Sequence, residues 1–186
     1  MQRDLVERAM AGDHDAFTEL ARVSIRRLLV VARLILRDDG RAEDATQEAL
    51  ISAWTHLAGL RDPARFEAWL HRLLINACYR ESHRDRRRGI FEVNVPPMRE
   101  APAAGDLATE VARRDQLERG FRRLDAEQRT VLVLHYYLGL SLDEASDVLG
   151  VRPGTIRSRL HRAIEAMRAG LEADARSPIL NQGWLA

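Results

Sequence analysis

Arg157, Arg159, His161, Arg162 and Arg168 all lie within sixteen residues that open on Pro153 and Gly154, beginning "PGTIRSRLHRA". Arginine's planar fork matches phosphates and guanine edges, so the chemistry on offer is recognition of an anionic polymer. Groups suited to bond-making are sparse. The six histidines and the single cysteine, Cys78, show no metal-ligand spacing, and neither a phosphate-cradling glycine loop nor a nucleophile elbow occurs. His71 and Cys78 fall roughly on one side of one helical pattern, but two candidates do not make a site. The sequence predicts no catalytic residue, no metal and no cofactor.

The elements that would position these arginines are legible in "SLDEASDVLGVRPGTIRSRLHRAIEAM". Ser141 can cap a helix with Glu144 three residues on, the capping-box spacing. Ala145, Val148 and Leu149 give that helix an apolar side, Gly150 suits a left-handed stop, and Pro153 suits a first helical turn. The next helix buries Ile156, Leu160, Ala163 and Met167, so Arg157, Ser158, His161 and Glu165 point away from the core, flanked by Arg159 and Arg162. From Arg152 to Arg168 five arginines face one glutamate. This pattern predicts a helix-turn-helix with a basic recognition helix sized for the DNA major groove. Arg157 is the first candidate for guanine, with Arg159 and Arg162 better suited to phosphates. The competing reading is an arginine-rich solvated helix on an ordinary bundle.

Upstream, two further helical patterns carry opposite charge. "RDDGRAEDATQEA" holds five acids and two arginines, and Asp44, Gln47, Glu48 and Ile51 fall on a face away from the Leu50, Trp54 and Leu57 stripe. Acids near a helix start also complement its dipole, but an acidic face that exposes an isoleucine suits docking to a basic protein. The following pattern places Arg72, Asn76, Tyr79, Arg80, His83 and Arg87 on one side, ending in "RESHRDRRR". Arginines, an amide and an aromatic can serve phosphates and unpaired bases, and a solvated basic helix end is the equal alternative.

The frame for these faces is all-α. Helical spacing recurs and period-two strand patterns are nearly absent. Helices are predicted at about residues 13–36, burying Phe17, Leu20, Leu28, Ala32 and Ile35; at 41–57, burying Leu50, Ala53, Trp54 and Leu57; and at 64–87, burying Phe66, Leu70, Leu73, Leu74 and Ala77. "GIFEVNVPPMREAPAAGD", rich in proline and without sustained period, reads as a flexible linker over 89–106. A second helical group follows over 107–176, beginning with Leu117, Phe121 and Leu124 on one face, and "SPILNQGWLA" forms a tail over 177–186. Two small helical modules, 1–88 and 107–176, are therefore expected on a tether. The 186 residues carry 46% apolar and 31% charged side chains and a formal charge of +1, so nucleic-acid affinity must come from local patches. Every one of the 29 basic residues is arginine. A lone cysteine, no apolar run of membrane-spanning length and a start unlike a signal peptide predict a soluble, cytoplasmic protein.

Together these features resemble the bacterial sigma factors, specifically the small extracytoplasmic-function (ECF) group of the sigma-70 class. "RAEDATQEALISAW" resembles a region 2 helix whose Asp-x-x-Gln-Glu core is met by Asp44, Gln47 and Glu48. "RFEAWLHRLLINACYRESHR" is similar to the next helix of that region, with Trp69, Leu70, Asn76 and Arg80 as its signposts. "LDAEQRTVLVLHYYLGLSLDEASDVLGVRPGTIRSRLHRA" resembles region 4, with Gly154, Thr155, Arg157, Ser158 and Arg159 on its core motif. The resemblance implies a three-helix-type region 2 bundle and a region 4 helix-turn-helix in a dissociable, non-enzymatic specificity subunit of RNA polymerase. It implies that Asp44, Gln47, Glu48 and Ile51 hold the basic coiled coil of the polymerase's largest subunit. Arg72, Asn76, Tyr79, Arg80 and His83, with the "AGLRDPA" loop, would take the -10 element as a melted strand. Thr155, Arg157, Ser158, Arg159, His161 and Arg162 would take the -35 duplex, while region 4 also contacts the flap of the second-largest subunit. An anti-sigma factor is the further partner implied, and membrane insertion is not. The chain departs from the family pattern at Arg152, where a serine or threonine cap is common, and at His161 on the DNA face. A response-regulator-type DNA-binding protein would share the C-terminal half but lack the Asp44, Gln47, Glu48 face, and a degenerate sigma-like protein would bind polymerase without directing transcription.

Overall fold

The computed structural model describes residues 2–88 and 107–176, and the expected linker and tail lie outside the described residues. Eight α-helices run through them: α1 (Gln2–Met10), α2 (His14–Leu36), α3 (Asp39–His56), α4 (Phe66–Arg88), α5 (Leu107–Arg122), α6 (Ala126–Leu132), α7 (Leu142–Leu149) and α8 (Pro153–Arg176). Each boundary has a local cause. Asp13 caps α2 by accepting from the backbone amides of Asp15 and Ala16, both at 3.0 Å. Arg37 ends α2 in the left-handed conformation at φ 56°, and Asp38 caps α3 by accepting from the Arg41 amide at 2.8 Å. The break in "RDDG" is thus made by Arg37 and Asp38, and Gly40 sits inside the first turn of α3.

Helices α2, α3 and α4 pack on one another, with α1 closing against α2. The expected stripe on α2 is buried except for Phe17, which is half-buried against Trp54 with ring centroids 5.0 Å apart. On α3 the centre of the buried stripe differs from expectation. Ala42, Ala45, Thr46, Ala49 and Ala53 are buried, while Leu50 and Trp54 flank them half-buried. Small side chains let the α3 backbone approach α2 and α4 closely, which puts the larger residues at the edges of the contact. On α4 Phe66, Leu70, Leu74 and Ala77 are buried as expected, joined by Ile75 and Cys78. Helix α1 has no counterpart in the sequence reading: it buries Val6 and Ala9, and Arg8 joins it to the turn through Asp13 at 2.6 Å.

In the C-terminal part α5, α6 and α7 pack around α8. Gly120 permits the close approach of α5 to α8, since a Cβ there would lie 2.9 Å from Met167 Sδ. Asp125 and Gln128 form a capping box at the start of α6, and α6 runs into a wider π turn over Val133–Tyr137. Ser141 and Glu144 form the expected box on α7, Gly150 ends α7 at φ 65°, and Pro153 begins α8.

The two modules touch. Helix α4 packs against α6 and α7, and α2 packs against α6 and the π turn. Arg129 on α6, 2% exposed, donates from Nε to the Ile35 carbonyl and from a terminal nitrogen to the Leu124 carbonyl, both at 2.6 Å. The Ile35 carbonyl belongs to the last turn of α2, where a helix leaves acceptors without intrahelical donors.

Candidate functional site

Helix α8 presents its N-terminal half outward. Its buried stripe is Ile156, Leu160 and Ala163, and this rotation exposes Arg157, Ser158, His161 and Arg162. Two local bonds order that face: the Ser158 hydroxyl donates to the Thr155 carbonyl at 2.9 Å, and Arg162 Nε donates to the Ser158 carbonyl at 3.3 Å. Arg159 is placed differently. It is half-buried and pairs with Glu127 on α6 at 3.1 Å, which ties α8 to its own module. Thr155 is half-buried at the edge of the face. The turn into α8 is closed by the Arg152 carbonyl, which accepts from the Thr155 amide at 2.8 Å and the Ile156 amide at 3.3 Å.

Helix α3 brings Asp44, Gln47 and Ile51 to one exposed surface, with Ile51 59% exposed. Glu48 is half-buried beside them and pairs with Arg80 of α4 at 3.0 Å. At the start of the same helix Asp39 and Glu43 pair with Arg33 of α2 at 2.8 and 3.8 Å, which moderates the acidic field there.

Helix α4 exposes Arg72, Asn76, Arg80 and His83 along one side, and the side chain of Arg87 is outside the described residues. Tyr79 is turned toward α6. Its hydroxyl is buried beside Thr130, whose own hydroxyl is committed to the Ala126 carbonyl at 2.7 Å, and it makes no hydrogen bond of good geometry. Burial pushes the Tyr79 hydroxyl above its ordinary pKa, and the neighbouring Thr130 hydroxyl opposes the shift. The loop before α4 forms two short 3-10 turns, with Leu60 buried and Asp62 accepting from the Ala64 amide at 2.9 Å.

Two features were not singled out from sequence. An apolar groove of about 530 Å³ is lined by Leu117, Phe121, Tyr136, Tyr137, Ile164 and Met167, among others, with Tyr136 66% and Leu117 54% exposed. Its signal was the unusually apolar run "LVLHYYLGLS". The other is the buried Arg129, for which no local signal exists. His135, at the floor of that run, is held by the Leu140 carbonyl at 2.8 Å. Cys78 is fully buried and its thiol is pushed up to about 12 by that burial, so it is not a reactive nucleophile. His71 is buried with Nε2 unpartnered, and burial lowers its pKa. No cluster of three or more His, Cys, Asp or Glu side chains suited to a metal occurs among the described residues, and no helix among them is long and apolar enough to cross a membrane.

Residues 20–89 match the family model of sigma-70 region 2, and residues 114–167 match that of sigma-70 region 4. The chain is 34% identical over 160 residues to the ECF RNA polymerase sigma factor SigM of Mycobacterium tuberculosis, covering 86% of this chain and 79% of that protein. The chain belongs to the ECF group of the sigma-70 family. It is also 32% identical over 169 residues to the RNA polymerase sigma-E factor of Streptomyces avermitilis, covering 89% and 92% of the two chains. Among solved structures it is similar to CnrH in complex with the cytosolic domain of CnrY, with a TM-score of 0.62 at 28% identity over 95% of this chain and 99% of that one. It is likewise similar to RpoE in complex with the anti-sigma factor NepR from Bartonella quintana, with a TM-score of 0.65 at 26% identity over 85% and 98%. The region 2 match takes in α3, α4 and most of α2, and the region 4 match takes in α6, α7 and most of α8. Sigma factors are specificity factors of RNA polymerase, and the function of this chain is promoter-specific transcription initiation.

Proposed function

We propose that this ECF sigma factor divides its work among four surfaces. The exposed side of α8, through Arg157, Ser158, His161 and Arg162 with Thr155 and Arg159 behind, takes the -35 duplex in the major groove. The observation that carries this reading is the outward rotation of α8, which leaves four side chains capable of base or phosphate contact on one surface. Asp44, Gln47 and Ile51, with Glu48 beside them, form the acidic surface for the basic coiled coil of the polymerase's largest subunit. An exposed isoleucine amid acids supports a protein client there and disfavours DNA. Arg72, Asn76, Tyr79, Arg80 and His83 take the -10 element, where a flipped base costs a few kcal/mol of unstacking that a pocket and backbone contacts offset.

The apolar groove between α5, the π turn and α8 is the surface we assign to the polymerase flap, since exposed tyrosine and leucine at its rim suit a partner's apolar side chains. Residues 1–88 and 107–176 act as two recognition modules, so attachment to one polymerase raises the effective concentration of both at one promoter. An anti-sigma factor, as bound by RpoE, is the regulatory partner we infer, and the cytoplasm is the compartment.

The test is selection of duplex DNA from a random library by core polymerase loaded with this protein. Two enriched blocks at fixed spacing support the division. A single block, or enrichment independent of the protein, overturns it.

A further inference from the structure

We propose that residues 177–186, the segment that follows α8, dock back into the apolar groove between α5, the π turn and α8, and occupy it until the polymerase flap displaces them. The displacement rests on the assignment of that groove to the flap, while the docking is independent of it.

The groove lies within reach of the segment's first residue. Ile164, Met167 and Leu171 of α8 form one wall, Leu117 and Phe121 of α5 form another, and Tyr136 comes from the π turn. Leu171 stands one and a half turns before α8 ends at Arg176, an axial distance of about 8 Å. Pro178, just past that end, has no amide with which to extend the helix, which favours a turn there. The return path along α8 from Arg176 to Ile164 is about 18 Å. Extended chain from Arg176 to Trp184 reaches up to about 26 Å, so the tryptophan can be delivered anywhere along that wall.

The chemistry of the two surfaces matches. "SPILNQGWLA" carries Ile179, Leu180, Trp184 and Leu185 and no charged side chain. The groove encloses about 530 Å³, room for large apolar side chains, and Leu117 and Tyr136 are more than half exposed at its rim. Arg168 is the charged side chain in the lining, and it pairs along α8 with Glu165 at 3.0 Å, so the groove suits an uncharged occupant. Contact removes apolar surface from water on both sides. A segment joined to α8 also meets the groove at an effective concentration on the order of mM, so a contact too weak to hold a free peptide still fills it. A partner in trans must then compete with the segment for the same surface.

Trp184 provides the readout, because it is one of three tryptophans in the chain. The full chain labelled with fluorotryptophan gives a fluorine resonance for each, and Trp184→Phe identifies the one from the segment. Exchange of water for heavy water shifts each resonance according to its contact with solvent. The expected Trp184 shift is well below that of the urea-unfolded chain, and it rises to the unfolded value in Leu117→Glu and in Tyr136→Ser. Both sites are exposed, and unchanged Trp54 and Trp69 resonances identify the variants that keep the fold. Solvent-exposed Trp184 in the unmodified chain overturns the docking, as does a shift that neither groove variant changes. Protection that is lost on dilution places the segment of a second copy in the groove and overturns it too. Titration with core polymerase tests the displacement: Trp184→Ser should tighten binding by at least about threefold, because a groove free only part of the time weakens apparent affinity by that fraction. A protected Trp184 with no gain in affinity for Trp184→Ser overturns the displacement and the flap assignment with it, whereas an exposed Trp184 overturns the docking and leaves the flap assignment standing.

Discussion

Arg80 on α4 lies 3.0 Å from Glu48 on α3, so a side chain assigned to promoter DNA is paired with one assigned to polymerase. Each partner is about half exposed, at 49% and 38% of its side chain. Such a pair contributes little to stability, and its importance is that either client must compete with it. Glu48→Gln is expected to change folding stability by less than about 1 kcal/mol. It is also expected to weaken polymerase binding. Urea unfolding and a polymerase titration on the same preparation check both.

The acidic surface on α3 makes a second expectation. Asp44 is exposed, and Asp44→Arg reverses a charge where a basic partner is proposed to dock. Polymerase affinity should fall by at least about tenfold, since like charges brought together across an interface cost several kcal/mol. Salt-matched duplex DNA binding by the full chain should be unaffected or slightly stronger. Equal polymerase affinity for variant and wild type contradicts the docking assignment.

On α8, Arg157 is exposed on the face proposed for the -35 duplex. Arg157→Ala should cost about 1–3 kcal/mol at the preferred -35 sequence, the value of a lost bidentate base contact. Discrimination at that base should relax, while Arg162→Ala, if Arg162 serves a phosphate, should weaken all sequences alike and lower the salt dependence. Competition binding at two salt concentrations separates the two outcomes.

Gly150 ends α7 at φ 65°, where any side chain is strained. Gly150→Ala should destabilise the protein by about 1 kcal/mol and lower the melting temperature by a few degrees. The Ser141 and Glu144 box gives a pH signature at the other end of α7. Glu144 titrates below its ordinary range, chiefly because the Ser141 side chain hydrogen-bonds its carboxylate. A depressed carboxylate stabilises the fold above its unfolded pKa, and that stabilisation is lost as pH falls through the folded value. Ser141→Ala should therefore be less stable at neutral pH, with the difference from wild type shrinking in acid, as thermal melts across pH will show.

Local chemistry was legible where one residue type has one physical use. Ser141, Glu144, Gly150 and Pro153 marked the helix-turn-helix because caps and left-handed stops depend on neighbours a few residues away. On α3 the sequence pattern finds Ala53 and Leu57 but not Ala42, Ala45 and Ala49, because these alanines carry little hydrophobic weight, yet they set how closely helices approach. Helix α1, nine residues long, is short for a helix standing alone and owes its place to packing on α2. Arg129 was invisible for a different reason. Its acceptor on Ile35 is brought to it by the docking of two modules, and nothing near it in sequence distinguishes it from the chain's other arginines.

The central claim is that this chain gives polymerase its choice of promoter. Purified protein should be added to bacterial core polymerase lacking its own sigma, and transcription run on a genomic promoter library. Defined start sites that vanish without the protein are expected, each with two shared upstream elements at fixed spacing. Failure of the protein to bind polymerase, or binding with no dependent start site anywhere in the library, would contradict it.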